Sequence, residues 1–406
     1  MNPAAREPRS TGADLSVVSS PDPIRPALVP QDLRLANMRR VVQELRTEPA
    51  LSRAELARRT GMAVPTVHRL VSDLVTSGLV GEEALPRHDG RLGRPPALYR
   101  FHDEAGLVAG VDVGNETTRI ALADLGGTIT AFYAQPTDTT KKGLVTSLSD
   151  GIDKLLRQMD RPLVGVGVGI AAVVHPQTGR LHDPPQHPAW SGVALGAELS
   201  ERLPCEVGVD QDNHLAAIAE CSSAGTAPGA DSLVVLQVGK GIGAGYALQG
   251  RKVAGAVGRF GRIARWPVAA GSRHLPGSTL GEALPTAGLV RQYHSRGGVG
   301  PVTDGSSLAL AAREGDRKAR AVMRWAAQEI AAVLARVDAL LAPDVLVFGG
   351  GLSGSFDLLE VDIRAGLPVD ADLRASALGD RAVVAGAILT GSAFTTEWLM
   401  RQLQRA

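Results

Sequence analysis

The spacing of apolar residues changes character at two places along the chain. Residues 1–31 show no period and hold six prolines among scattered Ser and Thr, which predicts a disordered tail. From Asp32 the period becomes helical, with Leu35, Met38, Val41, Val42 and Leu45 on one face of a first helix. Ser52, with Glu55 three residues later, forms a capping box that opens a short helix running to Arg59, and Thr60-Gly61 breaks it. A third helix begins near Val64, with Pro65 tolerated in its first turn. Val67, Leu70, Val71 and Leu74 are its inward stripe, and Gly78 closes it. Residues 79–82 and 97–101 then read as two strands around the loop RLGRPP, residues 91–96.

From Leu107 the pattern is that of an α/β domain. Residues 107–114 (LVAGVDVG) read as a buried strand ending in a glycine turn, and residues 118–135 as a hairpin about Gly126-Gly127. A helix is expected over 143–159, a buried strand over 163–170, and a strand pair over 233–239 and 244–248. A long helix spans roughly 316–341, with Val322, Ala326, Ile330, Val333, Val337 and Leu340 on one face. Residues 345–348 form a strand running into Gly349-Gly350-Gly351, and a last helix starts near Ala382. No short-period repeat is present.

The chain has 406 residues, 44% apolar and 21% charged, long enough for two or three folded domains and incompatible with wholesale disorder. Its longest apolar stretches run to about a dozen residues and are too short to cross a bilayer, and the N-terminus carries no secretory apolar core. A cytoplasmic protein without membrane association is the expectation. Two cysteines, Cys205 and Cys221, suit a reducing compartment and exclude a Cys-based zinc site. Of 43 basic residues 37 are Arg, a bias with no physical demand behind it. Charge is unevenly spread: residues 32–101 carry twelve Arg against eight acids, whereas the net charge of the whole chain is +1. A small basic module therefore precedes a mildly acidic one, which points to nucleic acid for the first part and another task for the second.

Three helices followed by a β-ribbon make a winged helix-turn-helix, whose third helix enters the major groove of double-stranded DNA. With its stripe turned inward, that helix presents Thr66, His68, Arg69 and Ser72, and Arg69 is the best candidate for a base edge. Arg53, Arg58 and Arg59 on the preceding helix are candidates for phosphates, which position without reading sequence. Arg91 and Arg94 in the wing can reach backbone or minor groove. The plainer alternative is a helical protein-interaction module with solvated arginines.

The segment SRAELARRTGMAVPTVHRLVSDLVTSGLV, followed by RLGRPPALY, resembles the DNA-binding half of regulators in the ROK family (repressors, open reading frames, kinases). The remainder resembles that family's sugar-kinase-like half, a two-lobed fold of the actin and hexokinase type. GVDVGNETTRIAL (110–122) is similar to the first phosphate loop, and DPPQHPAWSGVALGAEL (183–199) to the segment with a sugar-contacting Asn and a Trp. VDQDNHLAAIAE (209–220) resembles the stretch bearing the catalytic Asp, VGKGIGAGYALQG (238–250) the second phosphate loop, and VLVFGGGLS (345–353) the strand and loop near the nucleotide base. The implied organisation is a tail over 1–31, a winged helix-turn-helix over 32–101, and a two-lobed ligand-sensing and oligomerising domain over 102–406.

On this resemblance Asp212 stands at the position of the kinase base and Asp112 at the loop acid that helps hold Mg²⁺. The departures are larger. The family's Gly-Thr pair in the first loop is Asn115-Glu116, and a carboxylate there repels a triphosphate. The usual Thr of the second loop is Lys240. The family's Glu and His of a GEIGH-like segment become Arg262 and Arg265, and the zinc cysteines are absent from 269–284. His274 and His294 read as surface residues. Gln186 and Gln211 take the places of two asparagines. Asp212 either contacts a ligand or pairs with Arg262 or Arg265. The glycine runs at 239–245 and 349–351 either approach phosphates or serve turns that need positive φ.

The resulting expectation is a DNA-binding transcriptional regulator of carbohydrate-related genes, without kinase activity, cofactor or metal. A homodimer or homotetramer would bind an operator and sense a sugar derivative through Gln186, Gln211, Asp212, Arg262 and Arg265. Exchanging an acceptor-only Glu for the donor-only Arg262 further predicts an anionic ligand, such as a phosphosugar or sugar acid. The rivals are an active carbohydrate kinase with a DNA-binding head and a regulator that responds to no ligand.

Overall fold

The N-terminal helix Pro30–Thr47 buries Met38, Val41, Val42 and Leu45 against two shorter helices, Arg53–Thr60 and Val64–Thr76, as the 3.6-residue period requires. The structure, a computed structural model, describes residues 30–48, 50–84, 97–269 and 279–405. Residues 1–29 of the expected tail and the wing loop with Arg91 and Arg94 lie outside these residues, whereas Pro30 and Gln31, expected in the tail, already belong to the first helix, Pro fitting its first turn. Ser52 caps its helix by accepting a bond from the Glu55 amide at 3.2 Å, and Gly61 ends it in the left-handed region at φ 68°. Only this half of the expected capping box forms, because the Glu55 carboxylate turns to Arg58 and Arg59 instead. Val80–Ala84 and Ala97–Phe101 pair antiparallel, with Leu51–Ser52 adding a third short strand.

Two five-stranded sheets dominate the remaining described residues, and they share one topology. In the first, the meander Leu107–Val113, Thr117–Asp124, Ile129–Pro136 is extended on its other side by the parallel strands Leu163–Ile170 and Glu206–Gln211. In the second, the meander Ser232–Val238, Ile242–Leu248, Arg251–Lys252 is extended by Val345–Gly349 and Leu373–Ala375 in the same order. This repetition is structural; no repeated sequence announces it.

The strand Leu163–Ile170 is buried throughout, as expected of a central parallel strand. Its alternating glycines let helix Ala382–Ser392 lie on the sheet: a Cβ on Gly167 would sit 1.9 Å from the Ala387 carbonyl oxygen. That helix lies within Gly379–Leu399, a stretch apolar and long enough for a bilayer by composition, yet it packs against both neighbouring strands and is a core helix. Helix Arg317–Leu341 buries Val322, Ala326, Ile330, Val333 and Val337, whereas Leu340 is exposed at its end.

The N-terminal three-helix head is not a separate ball on a string. Met38, Leu74, Tyr99 and Phe101 share a single core with Val108, Leu125, Val164, Val384, Ile388 and Leu399. Arg39 bonds Glu397 of the C-terminal helix Thr395–Arg405, and Arg46 donates to the Leu125 carbonyl. Burial lowers the Arg46 pKa, with Asp103 and Asp124 opposing.

Candidate functional site

In the head, helix Val64–Thr76 buries Val67, Leu70, Val71 and Leu74, and His68 and Arg69 face solvent. Thr66 and Ser72 are half-buried, and the Ser72 hydroxyl donates to the His68 carbonyl at 2.8 Å, so part of its capacity is spent within the helix. Among the described residues Arg69 makes no ion pair or hydrogen bond, leaving its five donors for a partner.

The three arginines expected at phosphates behave differently. Arg53 lies 4.8 Å over the Tyr99 ring with its Nε buried, so it packs against the ribbon rather than projecting freely. Arg58 donates to Glu55 at 3.2 Å, and Arg59 to Glu55 at 3.0 Å and Glu48 at 3.1 Å. These bonds hold the Glu55 carboxyl down at about 2. The expected phosphate contacts must therefore compete with an internal acidic cluster.

The two sheets flank a cleft of about 990 Å³, and all five expected ligand residues, Gln186, Gln211, Asp212, Arg262 and Arg265, line it. Asp212 opens helix Asp212–Glu220, which crosses the second sheet because strand Ile242–Leu248 has glycine where the helix touches it. A Cβ on Gly245 would lie 1.9 Å from the Asn213 carbonyl oxygen. Positive φ is not the reason for these glycines: in the runs at 239–245 and 349–351 only Gly350 adopts it, at 79°. Close packing explains Gly243 and Gly245 instead.

Asp212 does not pair with either cleft arginine, contrary to one of the two expectations for it. Its carboxylate accepts from the Asn213 amide at 2.7 Å and from Asn213 Nδ2 at 2.8 Å. Arg262 is drawn away by Asp183, donating to its carbonyl and its carboxylate, both at 2.8 Å; Arg265 reaches the same carboxylate at 3.3 Å. Asp183 sits in the left-handed region at φ 44°, a conformation Asp tolerates better than most residues. The free guanidinium groups on which the expectation of an anionic ligand stood are thus engaged.

The other bases are also occupied. Lys240 of the second glycine loop bonds Glu116 of the first across the cleft mouth. Arg119 donates to Asp112 at 3.1 Å and approaches Asp380 at 3.7 Å. Burial pushes the Asp112 carboxyl up to about 7 despite Arg119, and repulsion from Asp212 adds to it. Burial likewise raises Asp212 to about 6, against the opposing Asn213 amide, His214 and Arg262. Among the described residues, the Oε1 of Gln211 and the Oδ1 of Asn115 are buried acceptors with no partner.

Asp183, Arg119 and Asp380 were not singled out by sequence. Arg119 carried a signal: it is the one basic residue in the mostly buried strand Thr117–Asp124. Trp190 is fully buried, its ring 4.1 Å from that of His187, whose Nε2 meets the Asn115 carbonyl at 2.9 Å. Among the described residues no cluster of His, Cys, Asp and Glu has metal-holding geometry. His294 is exposed with its ring nitrogens at the Gly298 and Val302 carbonyls, and His274 lies outside the described residues.

Comparison with known proteins gives two family matches: the ROK family over residues 108–389 and the IclR helix-turn-helix domain over 45–84. A protein named as a transcriptional regulator from Mycobacterium tuberculosis is 27% identical over 368 residues, covering 86% of this chain and 83% of that one. A xylose repressor from Caldicellulosiruptor bescii is 23% identical, covering 88% and 95%. A glucokinase from Halalkalibacterium halodurans is 26% identical over 73% of this chain and 96% of its own. The crystal structure of a ROK family transcriptional regulator, described as a homologue of the E. coli MLC protein, superposes with a TM-score of 0.79. It is 21% identical and covers 92% of this chain and 100% of its own. At that identity the likeness speaks to the fold, which includes the N-terminal head.

Proposed function

The chain belongs to the ROK family, and from that premise we propose how its two regions divide the work of regulation. It is a ROK-type transcriptional regulator with a helix-turn-helix DNA-binding domain. Residues 32–101 form the reading head, and residues 102–406 are the sensing and oligomerising domain. Arg69, with His68 and Thr66 beside it, reads base edges in the major groove; Arg58, Arg59 and the wing residues Arg91 and Arg94 serve phosphates. The observation that carries this reading is the exposed Arg69, unpaired among the described residues, on a helix that buries Val67, Leu70, Val71 and Leu74 on its other face.

The cleft is an effector site rather than a kinase centre. A nucleotide's phosphates would meet the Glu116 carboxylate, and Lys240, the cation best placed to oppose it, is already bonded to that carboxylate. The protein works in the cytoplasm as a homodimer, because paired half-sites on DNA call for a two-fold. The xylose repressor among its relatives supports a role in carbohydrate genes and repression as the sense of control. Filling the cleft shifts the balance of lobe arrangements, and only such differential binding can alter operator affinity. A route exists in helix Ala382–Ser392: Val383 lines the cleft, and Val384 and Ile388 share the core of the head.

Selection of bound fragments from genomic DNA, followed by competition against random duplex at physiological salt, tests the first half. A preferred palindrome bound at least 10³-fold more tightly than random DNA is the expected result; no preference would overturn it. An ADP-release assay with a hexose panel tests the second, and turnover on any hexose would restore the kinase reading.

A further inference from the structure

The cleft is richer in acids than in bases, and its bases are spent. Asp112, Glu116, Asp183, Asp212, Asp304 and Asp380 line it, against Arg119, Lys240, Arg262 and Arg265. Each of the four bases is bonded to one of those carboxylates. Arg119 serves two acids, whereas among the described residues the Asp212 carboxylate has only the two Asn213 donors. An incoming anion would have to break an existing ion pair and would face the remaining carboxylates unshielded.

A donor-rich ligand meets the opposite situation. Gln211, adjacent to Asp212 in the cleft lining, is only 4% exposed, and among the described residues its Oε1 accepts nothing and the buried Oδ1 of Asn115 has no donor. A buried acceptor without a partner costs on the order of 1–3 kcal/mol, which a ligand N–H or O–H recovers. His214 and then Arg262 are the bases that oppose a cation at Asp212, but burial lowers the His214 pKa with its Nδ1 at Asp210, and the hydrogen bonds of Arg262 are directed to Asp183.

We propose that the effector is a small polyol bearing an ammonium group, of the amino-sugar type, whose ammonium lies at the Asp212 carboxylate beside Gln211 Oε1. The inference rests on the reading of this cleft as the effector site. It reverses the anionic ligand expected from Arg262 alone. The carboxylate offers the charge, the amide oxygen offers a neutral acceptor, and an ammonium has three donors to divide between them. A neutral hexose can satisfy the acceptors but not the charge. A phosphosugar can also satisfy the acceptors through its hydroxyls, but it sets a second anion against the cleft's carboxylates.

Calorimetry on the full chain with glucosamine, N-acetylglucosamine, glucose and glucose 6-phosphate separates these cases. Glucosamine should bind at least tenfold more tightly than N-acetylglucosamine, which keeps the skeleton but removes the charge, and more tightly than glucose. Asp212→Asn should erase that preference, so that glucosamine binds no more tightly than N-acetylglucosamine. Preferential binding of glucose, N-acetylglucosamine or glucose 6-phosphate would overturn the ammonium assignment and leave the effector site standing. Stabilisation by Mg²⁺ alone that matches or displaces glucosamine would assign the carboxylate to a metal and overturn it too. Heat from none of the four sugars would overturn both readings.

Discussion

On the exposed face of helix Val64–Thr76, Arg69 projects with no ion pair among the described residues, whereas in the cleft Arg119, Lys240, Arg262 and Arg265 are each bonded to a carboxylate. Both regions have arginine where an anion was expected, and only one leaves the charge available. A guanidinium is therefore a poor indicator of ligand charge until its neighbours are known. In the head the second helix makes the same point: Arg58 and Arg59 lie a turn from Glu55 and are held by it.

The largest effect expected concerns the cleft's most perturbed acid. Asp112 has a carboxyl held near 7, above its unfolded value of about 3.9. As pH rises past the unfolded value, the unfolded chain releases this proton while the native state retains it, so the native state loses about 1.4 kcal/mol per unit until the folded value is passed. Between pH 5 and 8 the group should therefore cost the native state roughly 3 kcal/mol. Urea unfolding of the wild type and Asp112→Asn across that range measures it: the variant should gain relative stability as pH rises. Parallel pH profiles would mean that Arg119 neutralises Asp112 fully, making the cleft floor far less acid-rich than argued.

Arg69→Ala in the head comes next. If Arg69 reads a base, specific affinity should fall by about 1–3 kcal/mol with little change on random duplex. Equal loss on both would demote Arg69 to a phosphate contact and dissolve the contrast with the second helix. Arg58→Ala should cost less, about twofold on any duplex, because Glu55 already holds the guanidinium. A tenfold uniform loss would mean that DNA wins Arg58 away from Glu55.

Much of this architecture was legible in the sequence because the responsible signals are local. The helices at 53–60 and 64–76, the strand 163–170 and the long helix ending at Leu341 follow from apolar period, caps and breakers. The helices Asp212–Glu220, Thr286–Ser295 and Gly305–Arg313 were not recognised, being short and dependent on packing for their stability. The cleft residues were found through the order of motifs, yet their partners were not. Arg262 and Asp183 are 79 positions apart, and Lys240 and Glu116 are 124 apart. No period or spacing links such pairs; only the stacking of two similarly wound sheets brings them together.

The smallest effect sharpens the comparison most directly. Glu116 and Lys240 bridge the two glycine loops, but their side chains are 72% and 57% exposed. Exposed pairs contribute only about 0.2–1 kcal/mol, because water already solvates both charges and two long side chains lose freedom. A double-mutant cycle of Glu116→Gln and Lys240→Gln, read by urea unfolding, should therefore give a coupling below about 1 kcal/mol that shrinks in 0.5 M salt. The pair then matters through occupation: it spends Lys240 on Glu116, where a phosphate would otherwise compete for it. A coupling above about 2 kcal/mol that salt leaves unchanged would instead mean the bridge is desolvated in solution and clamps the lobes. In that case an effector must break it to enter, and the cleft differs from the head not in which charges are free but in how much work is needed to free them.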